Sequence, residues 1–152
     1  MPVLYVQEAN ASAQDQAIAS HLVEKEKAAL EKWFQGDVSG YASLWSKNSF
    51  SYFDAVVKER VDSYAEISKF LQGIKGKLFA DSFEFHKPRV QISGNMAVLT
   101  YQLFAKTSLM DMAYNCIEVF QREADGEWRV IHSTWSCIRP MDVKNWPAGT
   151  MV

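Results

Sequence analysis

Two cysteines, three histidines and four prolines are all that the 152 residues hold of these types. No Cys-x-x-Cys occurs, and His21, His86 and His132 are too scattered for metal-ligand spacing, so no metal site is expected. No apolar run approaches the roughly 18 residues of a transmembrane helix, so no membrane contact is expected. A surplus of one charge is missing too. Sixteen basic against eighteen acidic residues leave a net charge of −2, without the basic footprint that nucleic acid requires. Met1 to Asn10 lacks a basic n-region, and Val3 to Val6 is too short for a signal-peptide core, which makes the cytoplasm the expected location. No phosphate loop and no Ser/His/Asp order is found, so no cofactor is expected. What the chain does hold is bulk. The hydrophobic share is 48% and the aromatic share 13%, with five Trp, enough to line a core, a pocket or an interface.

The length suits one domain. The pattern predicts an N-terminal arm over 1–12, a domain over 13–140 and an irregular tail over 141–152. Ser12 and Asp15 form an N-cap signal, and Ile18, Leu22, Ala29 and Trp33 then recur at helical spacing. Glu24, Lys25, Glu26 and Lys27 read as the polar face of this helix. Gly36 stops it, and Asp37 caps a shorter helix presenting Tyr41, Leu44 and Trp45. A short strand over Phe50 to Phe53 ends at Asp54, and Ser63-x-x-Glu66 opens a third helix. Strands follow. Phe83 and Phe85 share one parity and Val90 and Ile92 the other, with a bulge expected at Pro88 between them. Gly94-Asn95 reads as a hairpin turn into Met96 to Ser108. Tyr114 to Arg122 comes next, and Asp125-Gly126 turns the chain into Trp128 to Ile138. Helices segregated from a meander of long antiparallel strands give an α+β domain with helices on one face of a bent sheet.

If Asp125-Gly126 is a two-residue turn, Cys116 faces Trp135 and Cys137 faces Tyr114. The thiols are then diagonal, poorly placed for a disulfide, and read as two small buried hydrophobes. In this register Cys116, Glu118 and Phe120 share a face with Ile131, Ser133, Trp135 and Cys137. The other face carries Ile117, Val119 and Gln121 with Trp128, Val130, His132 and Thr134. Both faces are largely apolar, whereas a sheet wet on one side alternates cleanly. Helices cover one, and a second copy of the chain is expected on the other, giving a homodimer through the outer sheet face.

Four stretches carry a resemblance. They are Gly36-Asp37-x-x-x-Tyr41, Pro88-Arg89-Val90-Gln91-Ile92-x-Gly94, Ala97 to Tyr101, and Asp125-Gly126-x-Trp128-x-Val130-Ile131-His132. With the order of elements, they make the chain resemble the nuclear transport factor 2-like superfamily, which includes SnoaL-like polyketide cyclases and ketosteroid isomerases. Within it the likeness is strongest to the association domain of calcium/calmodulin-dependent protein kinase II and its small bacterial relatives. The resemblance implies a cone, a cystatin-like curved antiparallel sheet wrapped around the N-terminal helices, with a pocket between the first helix and the concave face. It also implies a dimer through the sheet. The kinase domain's pocket arginines fall here on Leu103, Glu118 and Trp135, so its anion-binding pocket is not carried over. These signatures specify a fold better than an activity.

Glu118 is the first candidate for chemistry. It lies mid-strand on the concave face among Phe120, Ile131 and Trp135, where apolar surroundings disfavour its charge and suit it to acid/base work. The plainer alternative pairs it with a cation or a tyrosine hydroxyl. Asp54, beside Tyr52-Phe53, is the second carboxylate, or else a turn-former. Tyr52 and Tyr101 are candidate donors to a ligand carbonyl. Trp33, Tyr41, Trp45, Leu103, Ser133 and Trp135 complete the expected ligand-binding set, and His132 reads as structural. Two functions remain. One is a dimeric protein binding a small hydrophobic or mixed ligand, with cofactor-free acid/base chemistry of the isomerase, cyclase or dehydratase type. The other is a non-catalytic association module.

Overall fold

A computed structural model of the chain describes residues 11–138, so most of the expected N-terminal arm and the whole C-terminal tail lie outside the described residues. The serine caps act as the sequence predicts. Ser12 accepts from the Asp15 amide at 3.0 Å and opens α1, Ala13–Trp33. Gly36, at φ +76°, takes the left-handed conformation that turns the chain out of α1. Asp37 accepts from the Ser39 amide at 2.9 Å just ahead of α2, Ser39–Leu44, whose N-cap is Val38, without a side-chain cap bond, and not Asp37 as expected. α2 lies close on α1: a Cβ at Gly40 would sit 2.9 Å from the Cα of Ala29. α3, Tyr64–Ile74, starts where Ser63 accepts from the Glu66 amide at 3.1 Å, while the Glu66 carboxylate accepts from the Asp62 amide at 2.9 Å.

Six strands form one curved, unclosed sheet. They are β1 Ser51–Asp54, β2 Val57–Val61, β3 Glu84–Ser93, β4 Met96–Lys106, β5 Asp111–Arg122 and β6 Trp128–Cys137, in the order β2-β1-β6-β5-β4-β3. The mixed α+β class and the curved sheet agree with the sequence reading. β2 is an addition: its centre, Lys58-Glu59-Arg60, is exposed and charged and gives no apolar alternation to read. β1 is a second departure. It pairs with β6 in parallel, Ser51 opposite His132 and Asp54 opposite Trp135, which brings two distant stretches side by side.

The β3–β4 hairpin turns on Gly94-Asn95, and a bulge at Lys87-Pro88 switches the parity of β3 as expected, with Lys87 at φ +51°. The β5–β6 hairpin differs. Its loop is Ala124-Asp125-Gly126, three residues rather than two, with Gly126 at φ +84°. A bulge at Ile131 then absorbs the offset, so Cys116 still opposes Trp135 and Cys137 still opposes Tyr114. Between loop and bulge every side chain changes face. Trp128 and Val130, expected outside, are buried in the core, and Ile131 is only half-buried. Cys116 is buried and Cys137 exposed; both are free, so only one of the two acts as a buried hydrophobe.

The core lies between the helices and the concave face. Leu22 and Leu30 of α1 meet Leu99, Leu103, Phe120 and Val130 of the sheet, all fully buried. Each such side chain contributes about 1.5–3 kcal/mol from the area it removes from water. No helix among the described residues is long and apolar enough to cross a membrane.

Candidate functional site

Glu26 sits one helical turn from Leu22 and one from Leu30, on the buried stripe of α1, and is 0% exposed. It does not belong to the polar face where the sequence reading put it. Opposite, on β5, Glu118 is also 0% exposed. Two carboxyls at the centre of an apolar core demand a complete set of partners, and nearly all are present. Tyr41 of α2 and Tyr101 of β4 each donate to Glu26 Oε2 at 2.7 Å. Trp135 Nε1 donates to Ser133 Oγ at 2.7 Å, and Ser133 donates in turn to Glu118 Oε1. Glu118 and Glu26 lie close enough for each to act on the other's proton affinity. Glu26 Oε1 and Glu118 Oε2 are both buried without a hydrogen-bond partner among the described residues.

The direction of the donors assigns the charge. Glu26 already accepts two hydroxyls and acts as the carboxylate. Glu118 accepts at one oxygen and must carry a proton on the other. Burial, and then the negative charge of Glu26, hold Glu118 well above the ordinary carboxyl range; burial also raises Glu26. Among the described residues, no Lys or Arg forms an ion pair with either group. Of the alternatives raised for Glu118, neither a cation nor a tyrosine bonds it among the described residues; its hydrogen bond comes from the Ser133 hydroxyl, and a second glutamate lies nearby.

Beside this pair lies a small hollow. Its wall is Trp33, Tyr41, Trp45, Tyr52, Asp54, Met112, Tyr114 and Trp135, and it leaves about 20 Å³ for the centre of a water molecule, room for one water. Tyr41 and Tyr114 meet the Trp135 ring edge-on, at 5.9 and 6.1 Å between centroids. Asp54 is the one carboxyl on the wall. It accepts from the Tyr52 hydroxyl at 2.5 Å, and burial raises it above the usual range in spite of that bond. Among the described residues the Tyr114 hydroxyl has only the Met110 thioether, at 3.6 Å. Burial, with Asp54 next, pushes Tyr114 up to about 12. A larger open groove of about 540 Å³ runs between Asp81–Glu84 and Phe104–Lys106 and shares Met112 with the hollow.

Six of the ten residues singled out from the sequence therefore meet at the hollow: Trp33, Tyr41, Trp45, Tyr52, Asp54 and Trp135. Glu118, Tyr101 and Ser133 lie behind its wall in the carboxyl network, and Leu103 is core. Met112, Tyr114 and Glu26 were missed. Glu26 had a signal in its spacing from Leu22 and Leu30, and Tyr114 had one in its pairing opposite Cys137 and next to Trp135. His132 lies on the convex face between Ser51 Oγ at 2.7 Å and Thr134 Oγ1 at 2.6 Å, in keeping with a structural role.

A helix-filled, curved-sheet α+β domain with an aromatic hollow at its mouth is the class of protein that these elements define, the nuclear transport factor 2-like fold. Residues 27–140 match the model of the SnoaL-like domain, and the chain belongs to that family. Among solved structures it is similar to a ketosteroid isomerase-like protein of Parabacteroides distasonis, at 26% identity, TM-score 0.70, covering 91% of this chain and 98% of that one. A dehydratase-like protein of Streptomyces avermitilis has 16% identity and TM-score 0.64, covering 82% and 98%. The calcium/calmodulin-dependent protein kinase II hub of S. rosetta has 18% identity and TM-score 0.59, covering 76% and 93%. The latter two likenesses are of fold. A search of proteins of curated function returns no match.

Proposed function

We propose that this chain binds a small, largely apolar ligand bearing an oxygen and moves a proton on it without a cofactor. Asp54 is the proton acceptor and Tyr114 the hydrogen-bond donor to the ligand oxygen. The observation that carries this reading is a count of hydroxyls. Tyr41 and Tyr101 are committed to Glu26 and Tyr52 to Asp54, while Tyr114 keeps an O–H held only by a thioether. A half-buried carboxylate with a raised proton affinity beside a free phenol suits abstraction of a C–H next to a carbonyl. Asp54 takes the proton, the C–H electron pair becomes the enolate double bond, and the oxygen that gains the charge accepts from Tyr114. Return of the proton at another carbon completes an isomerisation. Glu118 acts here as a positioning residue, through Ser133, on the Trp135 wall. A ligand must displace the water-sized hollow, and Met112, flexible and shared with the groove, is the side chain whose rotation joins the two spaces.

The test offers β,γ-unsaturated cyclic ketones and follows the absorbance of the conjugated enone. Turnover above buffer is expected, falling on the order of 10²–10⁴-fold in Asp54→Asn. No turnover, or an unaffected Asp54→Asn, overturns the assignment.

A second reading has its own support. The likeness to a kinase hub and the apolar convex face suit association with further copies of the chain. Phe53 is 47% and Ile117 38% exposed on that face, and a homodimer across it covers both. Light scattering distinguishes a dimer, which fits either reading, from a many-membered ring, which favours association alone.

A further inference from the structure

Among the described residues, the buried side-chain hydrogen bond between the helices and the sheet is made by Glu26, with Lys25 to the Trp128 carbonyl a half-buried second tie. Glu26 is on α1 and also holds Tyr41 of α2 and Tyr101 of β4; Glu118 is on β5 and holds Ser133 and, through it, Trp135 of β6. Tyr41 and Trp135 are opposing walls of the hollow. The hydrogen bonds run in one direction, from Trp135 to Ser133 to Glu118, and one proton held between the carboxyls would satisfy both of the buried, unpartnered oxygens, Glu118 Oε2 and Glu26 Oε1. Remove that proton and Glu26 Oε1 and Glu118 Oε2 are both acceptors, with nothing to donate to either. The titratable groups facing the pair supply no positive charge: Tyr41 from α2, Tyr101 from β4, Cys116 from β5 and Tyr52 from β1. Two buried anions without a counter-ion are relieved only by water, and water reaches them only if α1 lifts from the sheet.

We propose that the shared proton is a latch, and that its loss parts α1 from β5 and opens the hollow. A hollow with room for one water needs such a motion before it admits anything larger. That use rests on the ligand-binding reading above, but the latch itself is tested without a ligand.

Cys116 is the reporter. It lies two residues before Glu118 on the same inner face of β5 and is buried, whereas Cys137 is exposed and can be removed as Cys137→Ser. In that background, labelling of Cys116 by an aromatic disulfide reagent is followed from about pH 6 to about pH 8. Thiolate formation alone gives about tenfold per pH unit, and an opening that releases one proton multiplies this to about a hundredfold. Glu118→Gln donates an amide N–H to Glu26 and cannot titrate, so its slope falls to about tenfold per unit. Should that variant not fold, Glu26→Gln keeps the same bonds in the reverse sense and is expected to behave alike. Equal slopes in parent and variant overturn the latch. So does labelling that rises with urea as steeply as global unfolding, because a local opening is nearly insensitive to urea. A failed latch leaves the ketone assay unaffected, and a failed ketone assay leaves the latch standing.

Discussion

Replacing Glu118 by glutamine is expected to stabilise this protein at neutral pH, although it alters the most deeply buried acid in the sheet. The native state keeps a proton on the carboxyl pair, while the unfolded chain releases it near the ordinary glutamate value of 4.5. A group whose native proton affinity is raised favours folding at low pH, and that advantage is lost as pH rises above its unfolded value. Each further pH unit therefore costs about 1.4 kcal/mol for as long as the pair holds on. Glutamine has nearly the same shape, gives an N–H to Glu26 and accepts from Ser133, and holds no titrating proton. The two chains should be of similar stability near pH 4.5 and diverge steadily above it, the variant gaining for every pH unit over which the pair keeps its proton. Urea unfolding across this range measures the gap. Asp54, also raised, and His21 and His132, both lowered mainly by burial, titrate in both chains and cancel in the difference. Parallel curves between pH 5 and pH 8 would refute the shared proton.

Two further outcomes follow from packing. Gly40→Ala should destabilise by about 1–3 kcal/mol, because its methyl would meet the Ala29 backbone at 2.9 Å and push α2 from α1; thermal melting reads this directly. Ile117→Glu, on the convex face at 38% exposure, should leave the fold intact and halve the mass seen in sedimentation if a second copy covers that face. A variant that still sediments as a dimer places the interface elsewhere.

Local chemistry was legible in the sequence and long-range placement was not. Ser12, Ser63, Gly94-Asn95 and Pro88 each act through neighbours within a few residues, and each does in the structure what its residue type predicts. The β5–β6 hairpin shows how two local errors cancel: a three-residue loop and a bulge at Ile131 offset each other, so Glu118 still meets Ser133 while Trp128 and Val130 turn inward. β1 beside β6 could not be read, since parallel neighbours so distant in sequence leave no turn between them. At the site, the aromatic wall was visible as composition and spacing. Glu26 was hidden by Glu24, Lys25 and Lys27, whose charges mask the 22–26–30 stripe in which it sits. A buried acid beside another acid is also the arrangement that residue preference argues against most strongly.

The two outermost strands carry a consequence for how copies of this chain can meet. β2 is five residues long with Lys58, Glu59 and Arg60 at its centre, and β3 is broken by Lys87-Pro88, where the imide offers no N–H. Neither border presents an uninterrupted ladder for an incoming strand, so open-ended ribbons and cross-β fibres are disfavoured from both sides. Contacts between molecules are left to broad surfaces, which tend to complete themselves in finite, symmetric particles.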